Sequence, residues 1–499
     1  MSQLKKGALL SYATIIITNV VGLLLTPYII RSLGTSEYGL YALIGAFIGY
    51  MMVLDLGLNN TIVRFIAKYR VTNDKDAEKN FLANIFIIYC FISIVIALVG
   101  VIIYYNMNSI FGDSLTSEEL EKAKIMVVLL IFNIAITLPG GAFTGICNGY
   151  EKFVFPRITN IIRYIVRSLL VVSALFYGGK AISIVVIDTT LNVLIILINV
   201  YYVFAVLKVK IKLIKFDKED FKTIFNYSIW IFVFSMIGEL FWKSGQMVLG
   251  KTQDTKVVAI FAVGIVLSGY FGAFAGAINS VFLPKATFMV ENKSSRQELT
   301  SVFIKLGRIL TLLLLFIYVS FLLFGKQFII LWVGETYEDA YLISAIIMTA
   351  YILPLVQNFA NSIIEATGKF KFKAIVYFFT ILTGIVLGAY LSKEYSYWAI
   401  AWCYSIFWFI SQIIMNWYFN AKLNIDIIRF FKETFGKMLF VVAISYGIGF
   451  LLNYFFVGEG WLNLLIKGFL FSLVYAIAAF FIMLNEYEKK LFTTFKIFK

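Results

Sequence analysis

The chain has 499 residues, of which 61% are hydrophobic and only 14% charged; it carries no histidine and a formal charge of +15. A soluble domain is roughly 45–50% apolar and about 25% charged, so a water-solvated globule is excluded and lipid must surround most of this chain. The lack of histidine disfavours metal hydrolases, serine and cysteine triads and imidazole relays. Cys90, Cys147 and Cys403 lie far apart within apolar runs, without metal or redox spacing, and read as small core hydrophobes. The basic residues form short clusters between apolar runs, never a stripe, which points to membrane topology and away from nucleic acid.

A spanning helix needs about 20 apolar residues. Runs that meet this length predict helices at 7–30, 39–63, 81–104, 125–147, 158–177, 181–206 and 222–247, then at 256–282, 303–324, 342–364, 372–391, 396–419, 437–456 and 461–484. The fold class is therefore an all-α integral membrane protein with about 14 transmembrane helices. Lys5 and Lys6 precede a first run too long for a secretory signal and without a small-x-small cleavage site, so it reads as a span. With Lys222, Lys256, Lys373 and Lys437 at the helix edges counted to the connections before them, the termini and the even-numbered connections together hold 29 Lys and Arg, against 8 on the odd-numbered side. Basic residues favour the cytoplasm; both termini are expected there, in a multi-pass protein of the inner (cytoplasmic) membrane.

Helix starts at 7, 39, 81 and 181 have counterparts at 222, 256, 303 and 396, offsets of 215, 217, 222 and 215. Leu33-Gly34 against Leu249-Gly250, and NGYEKF (148–153) against TGKFKF (367–372), fit the same repeat. Two parallel six-helix lobes around a central cavity follow, the arrangement of a transporter. The expected organisation is an N-terminal lobe, 1–206, a basic linker, 207–221, a C-terminal lobe, 222–419, and an appended helix pair with a basic tail, 420–499.

An ionisable group in lipid is costly and is a functional candidate by default. Arg163 and Arg167, four apart, share a face of the fifth helix; they suit a central basic cavity, since a guanidinium fork fits phosphate oxygens, or else a salt bridge to Asp55 or Asp188. Asp55 in LDLGLNNTIVRF is open to a structural bond, including one to Arg64, or to a gating or ion role. Glu239 and Lys243 are also spaced four apart, for a mutual pair or for a cavity or coupling-ion site. Asp188 lies within two turns of the outer face, and Lys467 is placed to snorkel outward. The tryptophans read as an interfacial belt, and Pro27, Pro139 and Pro354 as hinges or packing kinks.

The segments LLTPYIIRSLGTSEYGLYAL (24–43), LDLGLNNTIVRFIAKY (54–69), GICNGYEKF (145–153) and NIIRYIVRSLL (160–170) resemble the polysaccharide and O-antigen flippase family, Wzx-type, of the multidrug/oligosaccharidyl-lipid/polysaccharide exporter superfamily. The resemblance implies a V-shaped two-lobe bundle that moves a polyprenyl-diphosphate-linked glycan from the cytoplasmic to the outer leaflet by alternating access. Arg163 and Arg167 would then hold the diphosphate, and Asp55 would share in the cavity or its gating. No covalent chemistry and no cofactor are expected; the driving force is a sodium or proton gradient, or the membrane potential acting on the diphosphate. Partners would be the glycan lipid, the bilayer and polysaccharide polymerase machinery. The competing readings are a lipid II flippase for peptidoglycan and a multidrug or ion-coupled exporter of the same superfamily. A glycan polymerase is disfavoured by the short longest outer connection, 105–124.

Overall fold

The computed structural model describes residues 3–52, 58–215, 218–279, 282–485 and 488–489. Among them there is no strand, and the ordered elements are helices: α1 (Gln3–Leu33), α2 (Thr35–Met52), α3 (Leu58–Thr72), α4 (Lys75–Phe111), α5 (Ser117–Gly149), α6 (Val154–Phe176), α7 (Ala181–Tyr201) and α8 (Lys218–Thr252). There follow α9 (Thr255–Asn279), α10 (Phe282–Glu291), α11 (Arg296–Val333), α12 (Ala340–Val356), α13 (Asn358–Thr367), α14 (Phe370–Lys422), α15 (Ile427–Phe455) and α16 (Trp461–Ala478). In lipid each backbone N–H must find its acceptor within the segment, so apolar runs of this length settle as helices. Where they emerge, polar residues stop and start them. Thr116 and Ser295 close capping boxes with Glu119 and Glu298, and Asp74 and Asp426 cap α4 and α15.

Eleven described helices are long and apolar enough to cross a membrane. The fourteen expected segments arise because the second is shared by α2 and α3, α8 is a further 35-residue helix, and α14 counts twice. In α14, Ser396 takes left-handed φ and the chain folds back. The two limbs pack antiparallel, with Phe372 stacked on Tyr418 at 4.5 Å and Tyr377 on Trp408 at 5.3 Å. The tenth expected segment is interrupted at Gln357, between α12 and α13.

The chain divides into two compact units, 1–262 with 392–396, and 263–391 with 397–499. In the first unit α8 and the start of α9 pack on α2 through small residues. A Cβ added at Gly39 would lie 1.8 Å from the Thr255 carbonyl oxygen, and one at Gly250 would meet Leu43 at 2.3 Å. One end of this unit is tied by two carboxylates. Glu119 accepts from Ser36 and Thr255 at 2.5 and 2.7 Å, while Glu37 pairs with Lys122 at 2.9 Å and accepts from the Ala181 N–H. At the opposite, basic end, the segment 207–215 is pinned to α4: Asn80 accepts from the Ile214 and Lys215 N–H groups, both at 2.8 Å.

In the second unit the appended pair α15 and α16 covers α11 through Val319, Phe324, Met438, Val441, Phe471 and Tyr475. Arg308 locks the basic end, bonding Glu488 with both arms of its fork at 2.8 and 2.7 Å and donating to the Glu433 and Met483 carbonyls. Lys467 corrects the expectation of outward snorkelling. It is 5% exposed and donates to Gln327 of α11. An amide on the neighbouring helix satisfies the ammonium locally, so it does not extend to the headgroups.

Candidate functional site

The charged site of the first unit is built on α6, α7 and α2. Helix α6 is strongly amphipathic, and its polar arc of Arg163, Tyr164, Arg167 and Ser168 follows the i, i+4 rule. Tyr164 and Tyr28 lace α6 to α1, donating to the carbonyls of Thr18 and Val172 at 3.1 and 3.2 Å. A four-residue turn, 177–180, returns the chain as α7. Asp188 thereby comes level with Arg167.

Arg167 grips Asp188 with both sides of its fork, Nε to Oδ1 at 2.5 Å and Nη2 to Oδ2 at 2.8 Å. The two side chains are 20% and 28% exposed, so this is a partly desolvated bidentate pair, one of the two partnerships the sequence left open for Arg167. Tyr41 from α2 and Tyr164 border the same charges. Arg163, one turn away and half-buried, forms no ion pair among the described residues. Two guanidinium groups therefore face one carboxylate, leaving a local excess of one positive charge. Below it on the α7 face, Asn192 donates to Asn133 and Thr137 of α5 at 2.5 and 2.6 Å.

Glu239 and Lys243 lie on α8 in the same unit, pressed against α2: a Cβ at Gly49 would meet the Glu239 carboxylate at 2.3 Å and the Lys243 side chain at 3.0 Å. The mutual ion pair that their spacing allows is not formed, and Glu239 Oε2 is buried without a hydrogen-bond partner. The missing Cβ of Gly49 leaves room for both side chains to lie along α2, and this packing takes the place of the contact between them. Asp55 lies outside the described residues. Tyr41, Tyr164, Asn133, Thr137 and Asn192 were not singled out by sequence reasoning. The i, i+4 spacing of Asp188 and Asn192 was the available signal. Among the described residues no cluster of three His, Cys, Asp or Glu could hold a metal ion.

The profile of the polysaccharide biosynthesis protein family matches residues 4–285, more than half of the chain. A Shigella flexneri protein assigned by inference as an O-antigen transporter is 20% identical over 406 residues, spanning 80% of this chain and 93% of that one. Among solved structures, the lipid II flippase MurJ in an inward closed conformation superposes with a TM-score of 0.70 at 14% identity, over 95% of this chain and 97% of that one. An inward-facing multidrug resistance MATE family transporter of the MOP superfamily gives 0.64 at 14% identity, over 80% and 92%. At these identities the two structures speak for the fold.

Proposed function

Because the chain belongs to the polysaccharide biosynthesis protein family, whose profile covers more than half of it, we propose that it is a flippase for a polyprenyl-diphosphate-linked oligosaccharide. It carries this surface polysaccharide repeat unit from the cytoplasmic to the outer leaflet of the cytoplasmic membrane by alternating access. Both termini face the cytoplasm, and polysaccharide polymerase machinery receives the product. The repeated lobes, 1–206 and 222–419, supply the moving halves, with 207–221 as linker and 420–499 as the appended pair.

The observation that carries this reading is the unequal pairing of the arginines on α6. Removing one partner of a desolvated ion pair strands the other, so a free Arg167 would be costly in an empty transporter. Asp188 meets that cost, and it offers the guanidinium fork two acceptor oxygens, as a tetrahedral phosphate also can. Arg163 has no such partner and supplies the standing attraction for an anion. In this scheme the diphosphate engages Arg163 first and then competes with Asp188 for Arg167, so binding and release exchange one bidentate partner for another. Glu239 and Lys243, with Asp55, are assigned to gating or coupling. The O-antigen transporter among the relatives favours a surface polysaccharide over a peptidoglycan precursor.

Leaflet-resolved movement of a polyprenyl-diphosphate oligosaccharide in proteoliposomes tests this. The wild-type chain is expected to move it, and Arg163→Ala/Arg167→Ala to lose movement while still inserting. Wild-type rates in the double variant would overturn the diphosphate role. Movement of lipid II or of a cationic drug in place of the oligosaccharide would redirect the substrate class.

A further inference from the structure

At the basic end of the first unit, α3, α4, α5 and the segment after α7 enclose a pocket of about 480 Å³. Five cations line it: Arg70, Lys75, Lys79, Lys208 and Lys210. The only carboxylate in the lining, Glu78, is 7% exposed and accepts from Tyr150 at 2.5 Å. Arg70 lies over the Tyr150 ring at 5.0 Å and donates to the Gly149 carbonyl, which fixes its guanidinium at the wall. Lys79 is paired with Asp76 at 2.8 Å, but Arg70, Lys75, Lys208 and Lys210 have no acidic partner among the described residues.

Two features go against the intrinsic preferences of the chain. Lys75 is the first residue of α4, a position where the helix dipole disfavours a cation, at an end that Asp74 caps and that carries Asp76 and Glu78 in its first turn. Lys208 adopts φ +55°, a conformation disfavoured for residues with a Cβ. The next residue, Val209, donates its N–H to the Val203 carbonyl, and further along the Lys212 N–H donates to the Lys79 carbonyl and residues 214–215 are fastened to Asn80 and Asn84. The segment is thus an ordered strap that brings two lysines to a helix N-terminus, where four unpaired cations converge.

We propose that this pocket binds the phosphate of a lipid headgroup at the cytoplasmic membrane surface. A lipid fits better than a soluble phosphate because the pocket sits where the spanning helices end, and exposed apolar side chains flank it: Val71 beside Arg70, and Phe204 and Val206 ahead of Lys208. A headgroup phosphate would lie against the lysines while its acyl or isoprenoid chain ran along these residues into the bilayer. Two lipid sources share the chemistry, the bulk anionic phospholipid and the polyprenyl diphosphate of the substrate. The site is distinct from Arg163 and Arg167, and its cytoplasmic placement rests on the topology proposed above.

Native mass spectrometry of the full chain in neutral detergent tests the proposal, titrating an anionic phospholipid, a zwitterionic phospholipid, a polyprenyl diphosphate and inorganic pyrophosphate. Lys208→Gln/Lys210→Gln alters exposed side chains, and Lys75→Gln provides a second probe should the pair disturb the strap. Lys251→Gln/Lys256→Gln, at the opposite end of the unit, is the control. The expected result is roughly tenfold weaker binding of the anionic lipid by the Lys208/Lys210 variant, a smaller loss for Lys75→Gln and none for the control. Preference for polyprenyl diphosphate over anionic phospholipid would make the pocket a substrate-docking site, and the reverse preference a phospholipid anchor. Wild-type affinity in both pocket variants, an equal loss in the control, or pyrophosphate binding as tight as lipid would overturn it.

Discussion

The proposed exchange of Asp188 for a substrate phosphate makes a prediction that separates stability from transport. Consider Asp188→Asn, Arg167→Gln and the double variant. The wild-type pair is bidentate, with side chains 20% and 28% exposed. Breaking a fully buried pair costs about 3–5 kcal/mol and an exposed pair less than about 1 kcal/mol, which places each single variant near 2 kcal/mol of destabilisation. The double variant strands no charge and should return most of that loss, leaving less than about 1 kcal/mol and giving a coupling of about 3 kcal/mol in a double-mutant cycle. Thermal unfolding in detergent reads this first quantity. Transport in proteoliposomes reads the second, and there the variants should not follow stability. Asp188→Asn leaves Arg167 available, so it should hold the diphosphate more tightly and release it more slowly. The double variant, nearly as stable as the wild type, should be transport-defective because the fork is gone. Wild-type transport by the stable double variant would refute the reasoning and reduce the pair to a structural clasp.

Further expectations concern packing and the ends of the helices. Gly39→Val should prevent folding of the first unit, because the added Cβ falls on the Thr255 backbone, while Gly45→Ala on the same helix, with nothing within 4 Å, should leave the elution profile and melting temperature unchanged. Lys467→Met should be neutral or raise the melting temperature, since it replaces a buried ammonium, satisfied by an amide, with an apolar chain of similar length. Burial would raise the Glu488 carboxyl, but the hydrogen bonds from Arg308 and the Asn485 N–H prevail and hold it below its ordinary value of 4.5. Its contribution is therefore present above the ordinary carboxyl range and lost as the pH falls through the depressed value. The wild-type melting temperature should drop more between about pH 5 and pH 3 than that of Glu488→Gln. Gln412 donates to the otherwise unsatisfied Gln357; Gln412→Leu should cost about 1–3 kcal/mol in thermal stability.

The helices were legible because apolar length alone specifies a span, and even the fold-back of α14 at Ser396 was marked by Lys393 and Glu394. The Arg167–Asp188 pair was legible in principle. Arg167 lies ten residues before Tyr177 and Asp188 eight after Lys180, so at about 1.5 Å per residue two helices joined by a short turn bring them to nearly the same depth. The interruption at Gln357 was not legible: Pro354, the only strong helix breaker nearby, remains inside α12, and the partner that donates to the Gln357 amide oxygen, Gln412, is 55 residues away on a limb whose rotation depends on packing. The Glu239–Lys243 contact failed for a related reason. Helical spacing states which residues are neighbours on one helix, but the neighbouring helix decides whether they meet, and Gly49 gives them another surface to follow.

The same distinction orders the buried charges by what they still require. Lys467 has Gln327, and Arg167 has Asp188; the fold accounts for each without a ligand. Among the described residues of the first unit, Arg163, Glu239 and Lys243 are half-buried without an ion pair, Lys243 lying beside Glu239 against Gly49. Retaining an uncompensated charge within the membrane reduces stability, and packing offers nothing in return at these positions. A transported anion would compensate Arg163, and a proton or cation would compensate Glu239. On the proposed function, Arg163 and Glu239 are then the charges through which substrate binding and a coupling ion would act on the first unit.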